Sequence, residues 1–465
     1  FYYLLGGGPS VWGSFKNPET EKLLKQFVAL KTKQARADTN GIPPEIQAMF
    51  KYAELGQWRA LSNSVSDLQE RDMYWNSLGH GMRHWHGFRG AIEDAVSDLS
   101  KMTGHPWEPA EPPGLYGTVG EAVREICGAF DGFVTGDEKY TTEFGRGIIG
   151  SIPPGSVYFG GTDPGRFIVT AMCQSQPDGD PFFVLAPNSL NHETYQDYAR
   201  SMYGKKIYIP VSEDRDACFR EYLHRKETVL TNITRDVPPE VDIMDINDLL
   251  SKLIFDKCPT NEFFIEQRWP LDWMYSHVEP HGLIFKINRQ PLAGLSDEII
   301  QRDRDYWRNS LTPKIGVWLT QETTVQTVAA FAKKTFSQRD FNGFAGDPGF
   351  VQNGYTCRMF SRERAAIAGL YVWRAKHAKD DSEKKRLAGE ADFAFRQAWA
   401  LCPYAYEAAL SYVNFLMSQN RLDDALLVAK TMAAMPQLKD DEFVKGLPDE
   451  VRQYFKQHPP PPYAN

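Results

Sequence analysis

No apolar run in this 465-residue chain approaches the roughly 18 to 20 residues needed to cross a bilayer; the nearest are short stretches such as Phe182 to Pro187. No membrane span is therefore expected. A surplus of basic charge is also missing: 52 Lys and Arg stand against 60 Asp and Glu, a net charge of −8 with no massed block of either sign. That excludes the electrostatic footprint of sequence-independent nucleic-acid binding, and no nucleic-acid partner is expected. Cysteine is scarce and dispersed, with six in all and the closest two, Cys218 and Cys258, 40 residues apart. No CxxC, haem-attachment or zinc-ribbon spacing exists. The even count permits disulfides without implying them, and Cys127, Cys173 and Cys402, each following an apolar residue, read as small buried hydrophobes. Intrinsic disorder, collagen-like repeats and a highly charged tail are excluded as descriptions of the chain as a whole.

What the chain has is aromatic mass: 11 Trp, 21 Tyr and 28 Phe, 13% of its residues. At roughly 100 to 200 residues per domain the length allows two to four domains, each able to bury a core without staples. The expected fold is an α/β centre with a mainly parallel sheet, flanked by a helical N-terminal region and a C-terminal helical segment. Five stretches emerge from composition and periodicity: an N-terminal apolar strap and Gly hinge at 1–16, a mainly helical domain at 17–150, an α/β domain at 151–295, a helical domain at 296–440 and a Pro-rich tail at 441–465.

The strap Phe1-Tyr2-Tyr3-Leu4-Leu5, on its hinge Gly6-Gly7-Gly8-Pro9, is unusual because termini normally fray into water. Either it packs on its own domain or it docks on a neighbouring subunit. The chain opens at Phe1 instead of Met, read here as a signal peptide, pro-segment or upstream region removed, or as numbering that starts part-way along, and an extracytoplasmic location is expected. Helical spacing recurs over 17–32, 44–55 and 58–68, with a break at Gly56, and again over 119–133 and 140–149. Past Pro153-Pro154-Gly155 the pattern alternates. Short apolar runs at 157–159, 181–185 and 207–209 are separated by helical stretches at 166–173 and 193–203, as βαβ units require, and a further helix is expected at 214–225. A helix at 242–255, strands at 263–266 and 283–287 and a short helix at 271–275 extend it, and most of the chain beyond Leu295 reads as helix.

Three groups of residues are candidates for chemistry. Gly160, Gly161, Thr162, Asp163 and Arg166 come directly after the first expected strand, where loop amides and a helix N-terminus meet ligands in open α/β sheets. The alternative is a structural turn in which Asp163 caps a helix begun by Pro164. His80, His84 and His86, with His105 downstream, form the histidine cluster. One helix cannot turn all three inward, although His84 and His86 share a face in a strand and Glu108 or Glu111 could complete a metal site. Loop packing with Trp85 and Trp107 is the competing reading. The run Trp269 to Tyr275 with His277 to His281 is either an aromatic sugar platform or core packing at the sheet ends. No catalytic set and no cofactor are expected, because no Ser-His-Asp, Cys-His or paired-carboxylate arrangement can be defended from spacing alone.

Ala391, Phe395, Ala398 and Pro403 stand at the spacing A-x3-F-x2-A-x4-P, in which small residues let two helices cross closely and a proline ends the second. A second helix pair comes next, with Ala408, Ala409, Tyr412 and Leu416 on its first helix, closed by Pro436. Over Ser361 to Pro436 the chain resembles the tetratricopeptide family. That resemblance implies stacked helical hairpins and protein partners, and an isolated pair must cover its faces with other parts of the molecule or with another subunit. The hairpin 44–68 is a degenerate relative at the other end. Residues 151–163, the strand 182–185, Tyr195 to Tyr203, Lys206 to Pro210 and the repeat-bearing tail together look like the soluble C-terminal region of certain bacterial polytopic membrane proteins. Those resemble GT-C-class glycosyltransferases related to protein O-mannosyltransferases. The likeness implies an appended extracytoplasmic module, not the transferase chemistry, since the catalytic carboxylates of that class belong to membrane-embedded helices and their first external loop. Asp163 alone carries over, in the acidic place of the turn.

The resulting expectation is a non-catalytic extracytoplasmic structural or interaction protein that associates with protein partners, copies of itself among them, through the strap and the helical repeats. The alternative is a carbohydrate- or nucleotide-sugar-binding accessory domain with Gly160 to Arg166 as its site.

Overall fold

The computed structural model describes residues 15, 17–36, 42–78, 118–161, 164–174, 179–230, 243–266 and 271–457. Along the chain run α1 (Pro18–Arg36), α2 (Pro44–Glu54), α3 (Trp58–Leu78), α4 (Thr118–Thr135), α5 (Glu138–Ile149), β1 (Val157–Gly160), a π-turn at Pro164–Ile168, α6 (Val169–Gln174), β2 (Phe183–Leu185), α7 (Glu193–Tyr203), α8 (Ser212–Leu230) and α9 (Ile243–Lys257). Next come β3 (Phe263–Glu266), β4 (Val278–His281), β5 (Ile284–Ile287), α10 (Asp297–Ile315), α11 (Val325–Ala332), α12 (Pro348–Gln352), α13 (Gly354–His377), α14 (Asp381–Leu401), α15 (Tyr406–Ser418), α16 (Leu422–Ala433) and α17 (Glu442–Gln457).

Helix dominates, and the strands form one small sheet in the order β2-β1-β3-β5-β4. β1 and β2 are parallel, with Tyr158 opposite Val184, whereas β4 and β5 are antiparallel, with Pro280 opposite Phe285. The sheet is therefore mixed, which corrects the expectation of a mainly parallel one, and it does not stand out as a separate α/β centre. The difference has two physical sources. Ile207 and Ile209 are apolar because both are 5% exposed, not because they pair: the chain there is irregular, and the Tyr208 amide donates to Cys258 Sγ at 3.2 Å. Residues 278–281 do pair, in spite of Pro280, because β4 is the last strand of the sheet and an edge tolerates a residue with no N–H. Gly282, at φ +67°, makes the tight turn into β5.

The chain falls into two compact units, each discontinuous in sequence: residues 1–134 with 153–263, and residues 135–152 with 264–465. In the first unit, Leu24, Phe27 and Val28 of α1, Ile46, Met49 and Phe50 of α2, Val123, Ile126 and Phe133 of α4 and all of β1 are buried. Trp58 stacks on Phe130 at 4.4 Å. A strand buried at every position explains why 157–160 reads as a continuous apolar run.

The second unit is organised by the α13–α14 hairpin. Its helices start on side-chain caps: Asn353 Oδ1 accepts from the Thr356 amide at 2.8 Å, and Asp380 Oδ1 accepts from the Glu383 amide at 2.8 Å. Helices α15, α16 and α17 are added in chain order, each packed on its predecessor, while α11 lies against α14 and α16. Ala391, Phe395 and Ala398 are buried on α14, and Ala408, Ala409, Tyr412 and Leu416 are buried on α15. Phe395 stacks on Tyr412 with centroids 5.5 Å apart. Small residues at 391, 398, 408 and 409 allow that close approach. The face of α13 is covered by α5, α12 and β5 of the same unit.

Candidate functional site

In the first unit the chemistry lies beyond the carboxyl end of β1. Gly160 ends the strand where a Cβ would come within 3.0 Å of Arg166 Cα, so the chain doubles back over its own backbone at a position only glycine fills. The expected α-helix over 166–173 begins instead as the π-turn Pro164–Ile168, and only α6 continues as α-helix. The wide turn carries Arg166 inward, where Nη2 donates to Glu121 Oε2 at 3.0 Å and the guanidinium lies over the Tyr195 ring at 5.3 Å. Helix α4 can come this close because Gly128 leaves room for the Phe167 ring.

Two carboxylates one turn apart on α4 organise the rest. Glu121 also accepts from Arg124 Nη1 at 2.7 Å; burial disfavours its charge, yet Arg124 and Arg166 together hold its carboxyl below the usual range. Glu125 meets Lys31 Nζ at 2.5 Å and accepts from Tyr198 Oη at 2.5 Å, while Lys31 also donates to the Tyr198 oxygen. The Lys31 side chain is fully buried. Burial lowers its pKa, with Glu125 opposing the shift. Burial pushes the Tyr198 and Tyr203 hydroxyls well above the ordinary range, with the Glu125 and Asp180 carboxylates adding to it. Tyr203 Oη donates to Asp180 Oδ2 at 3.1 Å and accepts from Gln174 Nε2 at 3.2 Å. The outcome is a buried, charge-balanced network joining α1, α4, α6 and α7 to the turn after β1.

Among the sequence candidates, Gly160, Gly161 and Arg166 lie in or beside this network, with Arg166 engaged by Glu121. Thr162 and Asp163, the histidines His80, His84 and His86, and the strap Phe1, Tyr2, Tyr3, Leu4 and Leu5 lie outside the described residues. Among the described residues no group of three or more His, Cys, Asp or Glu side chains is arranged to hold a metal ion. Of the aromatic run, Trp269 and Pro270 are outside the described residues; Tyr275 stacks on Trp373 at 5.3 Å, and Met274 is fully buried. His277 Nδ1 lies 2.7 Å from the Asn288 carbonyl and His281 Nε2 lies 2.8 Å from that of Ser151.

The second unit holds a carboxyl pair that spacing does not reveal. Glu266, at the carboxyl end of β3, and Glu363, on α13, are 0% and 1% exposed and lie within each other's electrostatic reach. Arg362 Nε is 3.6 Å from Glu363 Oε1, with Glu407 and Tyr355 also in its field. Burial, reinforced by the Glu266 charge, raises the Glu363 pKa well above the carboxylate range. The two residues stand 97 positions apart, and the one sequence signal is a glutamate closing the wholly apolar run Phe263-Phe264-Ile265. Nearby, Arg364 Nη1 contacts Asp303 Oδ1 and Oδ2 at 3.0 and 2.8 Å, Arg364 Nε donates to Gln397 Oε1 at 2.8 Å, and Tyr371 Oη donates to Asp303 at 2.8 Å. This network ties α10, α13 and α14 together.

No helix among the described residues is long and apolar enough to cross a membrane. Comparison with protein-family models, with curated proteins and with solved structures finds no match to this chain.

Proposed function

We propose that this chain is a non-catalytic extracytoplasmic scaffold that associates with copies of itself through the end of its C-terminal helical stack, a stack we read as a tetratricopeptide-like pair of hairpins with α17 as its closing helix. One observation carries the reading. Helix α17 buries Val444, Leu447, Val451 and Phe455, yet exposes Phe443 at 46% and Tyr454 at 38%, with Tyr406 of α15 exposed beside Phe443 at a centroid distance of 5.7 Å. Phe443 and Tyr454 lie three turns apart along one edge of the buried face. The closing helix of a repeat stack needs a polar outer face to remain soluble alone, and aromatic side chains at that position mark a contact surface. Acid and base alternate along the same helix in the pairs Glu442–Lys445 and Asp449–Arg452, so it presents no single sign to repel an identical helix. Light scattering on the purified chain tests this. Self-association is the expected result, with Phe443→Glu plus Tyr454→Glu returning monomers of unchanged melting temperature. A monomeric wild-type chain at tens of micromolar, or a double variant that still associates, overturns it.

A further inference from the structure

The α13–α14 hairpin brings two of the six cysteines together. Ser361 Oγ donates to the Ala398 carbonyl at 2.7 Å, which fixes the antiparallel register of the two helices. One turn before Ser361 on α13 is Cys357, and one turn after Ala398, at the end of α14, is Cys402. An antiparallel pair in that register must face these residues toward each other, and it does. Their sulfur atoms are 3.0 Å apart, both side chains are 0% exposed, and both are free thiols. A disulfide needs the sulfurs within about 2.05 Å, so the bond is roughly 1 Å of side-chain adjustment away, with no helix needing to move by a turn.

In the folded chain the surroundings treat the two sulfurs differently. Cys357 occupies the first turn of α13, where the helix dipole favours a thiolate, and Tyr404 Oη is 3.4 Å from its Sγ. Burial opposes ionisation of Cys357, but its hydrogen-bond contacts with Cys402 and Tyr404, with Arg358 beside them, hold its pKa below that of an ordinary thiol. Cys402 is pushed the other way, first by burial and then by its neighbour.

We propose that Cys357 and Cys402 close into a structural disulfide when the chain folds with a low-molecular-weight disulfide such as glutathione disulfide as oxidant. The thiolate of one of the two cysteines attacks one glutathione sulfur, forming a mixed disulfide and releasing one glutathione thiolate. The other cysteine, on losing its proton, then attacks that protein sulfur and expels the second glutathione. Two protein thiols are oxidised to one disulfide, glutathione disulfide is reduced to two thiols, and the two protons end on the leaving sulfurs. Exchange precedes burial, because the folded pair is closed to solvent, and the same burial then shields the bond from reductants.

The full chain, refolded from denaturant with reduced and oxidised glutathione, tests the assignment. Ellman titration in denaturant should find four of the six thiols, and a non-reducing peptide map should show the segments carrying Cys357 and Cys402 joined. The oxidised protein should melt several degrees above the same protein kept in a phosphine reductant, and Cys402→Ser should abolish both the linked peptide and that difference. Six titratable thiols in the refolded protein, or a linkage from Cys357 to any other cysteine, would overturn the proposal without reference to any variant.

Discussion

Replacing Glu125 by Gln removes a charge and almost no volume, and so isolates what the buried pair with Lys31 contributes. Lys31 Nζ has no access to solvent and lies 2.5 Å from Glu125 Oε2. Without the carboxylate the ammonium is left buried with no counter-charge in contact, its polar neighbours being Tyr198, the new amide and Met202 Sδ at 3.9 Å. Breaking one side of a buried pair costs about 3–5 kcal/mol. The structure also sets a ceiling: Lys31 can shed its proton, and neutralising a lysine of ordinary pKa 10.5 at pH 7 costs about 5 kcal/mol. The loss should therefore shrink as pH rises toward the ordinary lysine range, where the neutral amine becomes cheap to bury. Replacing both partners, Lys31→Met with Glu125→Met, should return stability to within about 1 kcal/mol of the native chain or exceed it, since two desolvated charges are removed together. The assay is urea unfolding of the native chain, each single variant and the double variant at pH 7 and pH 9. A single-variant loss below about 1 kcal/mol, or a double variant no better than the single, would refute the account of this network.

Two further predictions concern the packing around these networks. Glu363 has a pKa raised above that of the unfolded chain, so folding takes up a proton there; its contribution is complete below about pH 4.3 and is lost as pH rises through the folded value, by up to about 1.4 kcal/mol per pH unit. Glu363→Gln removes that titration, so its stability relative to the native chain should grow between about pH 4.5 and pH 8, with Arg362, Glu407 and Tyr355 unchanged around it; parallel stability curves would contradict the raised Glu363 pKa. Gly128→Ala places a methyl group 2.2 Å from the Phe167 ring, and the overpacking should cost about 1–3 kcal/mol despite the better helix former, read as a lower urea midpoint.

Helix boundaries in this protein are legible in the sequence because amphipathic spacing and capping residues act locally. The expected stretches at 17–32, 44–55, 119–133 and 193–203 lie on α1, α2, α4 and α7, and the expected strands at 157–159 and 263–266 lie on β1 and β3. Where burial and pairing give the same apolar signal, sequence cannot separate them: Ile207 and Ile209 fill a core without joining a sheet, while Pro280 masks β4. The turn after β1 also stands out in the sequence as chemically dense. Its character is not legible there, because the partners of Arg166 come from α4, 45 residues earlier, and their charges cancel inside the fold.

By itself the sequence determined which segments are helical, the spacing of the repeat-like hairpins, the glycine at the end of β1 and the absence of a membrane-spanning run, all consequences of nearest-neighbour sterics and periodic hydrophobicity. Only the tertiary structure decided the mixed sheet, the Lys31–Glu125–Tyr198 network, the buried approach of Glu266 and Glu363 and the meeting of Cys357 with Cys402. Those depend on helix register and on desolvation, and a side chain's charge state is fixed by partners that lie from 45 to 167 positions away along the chain.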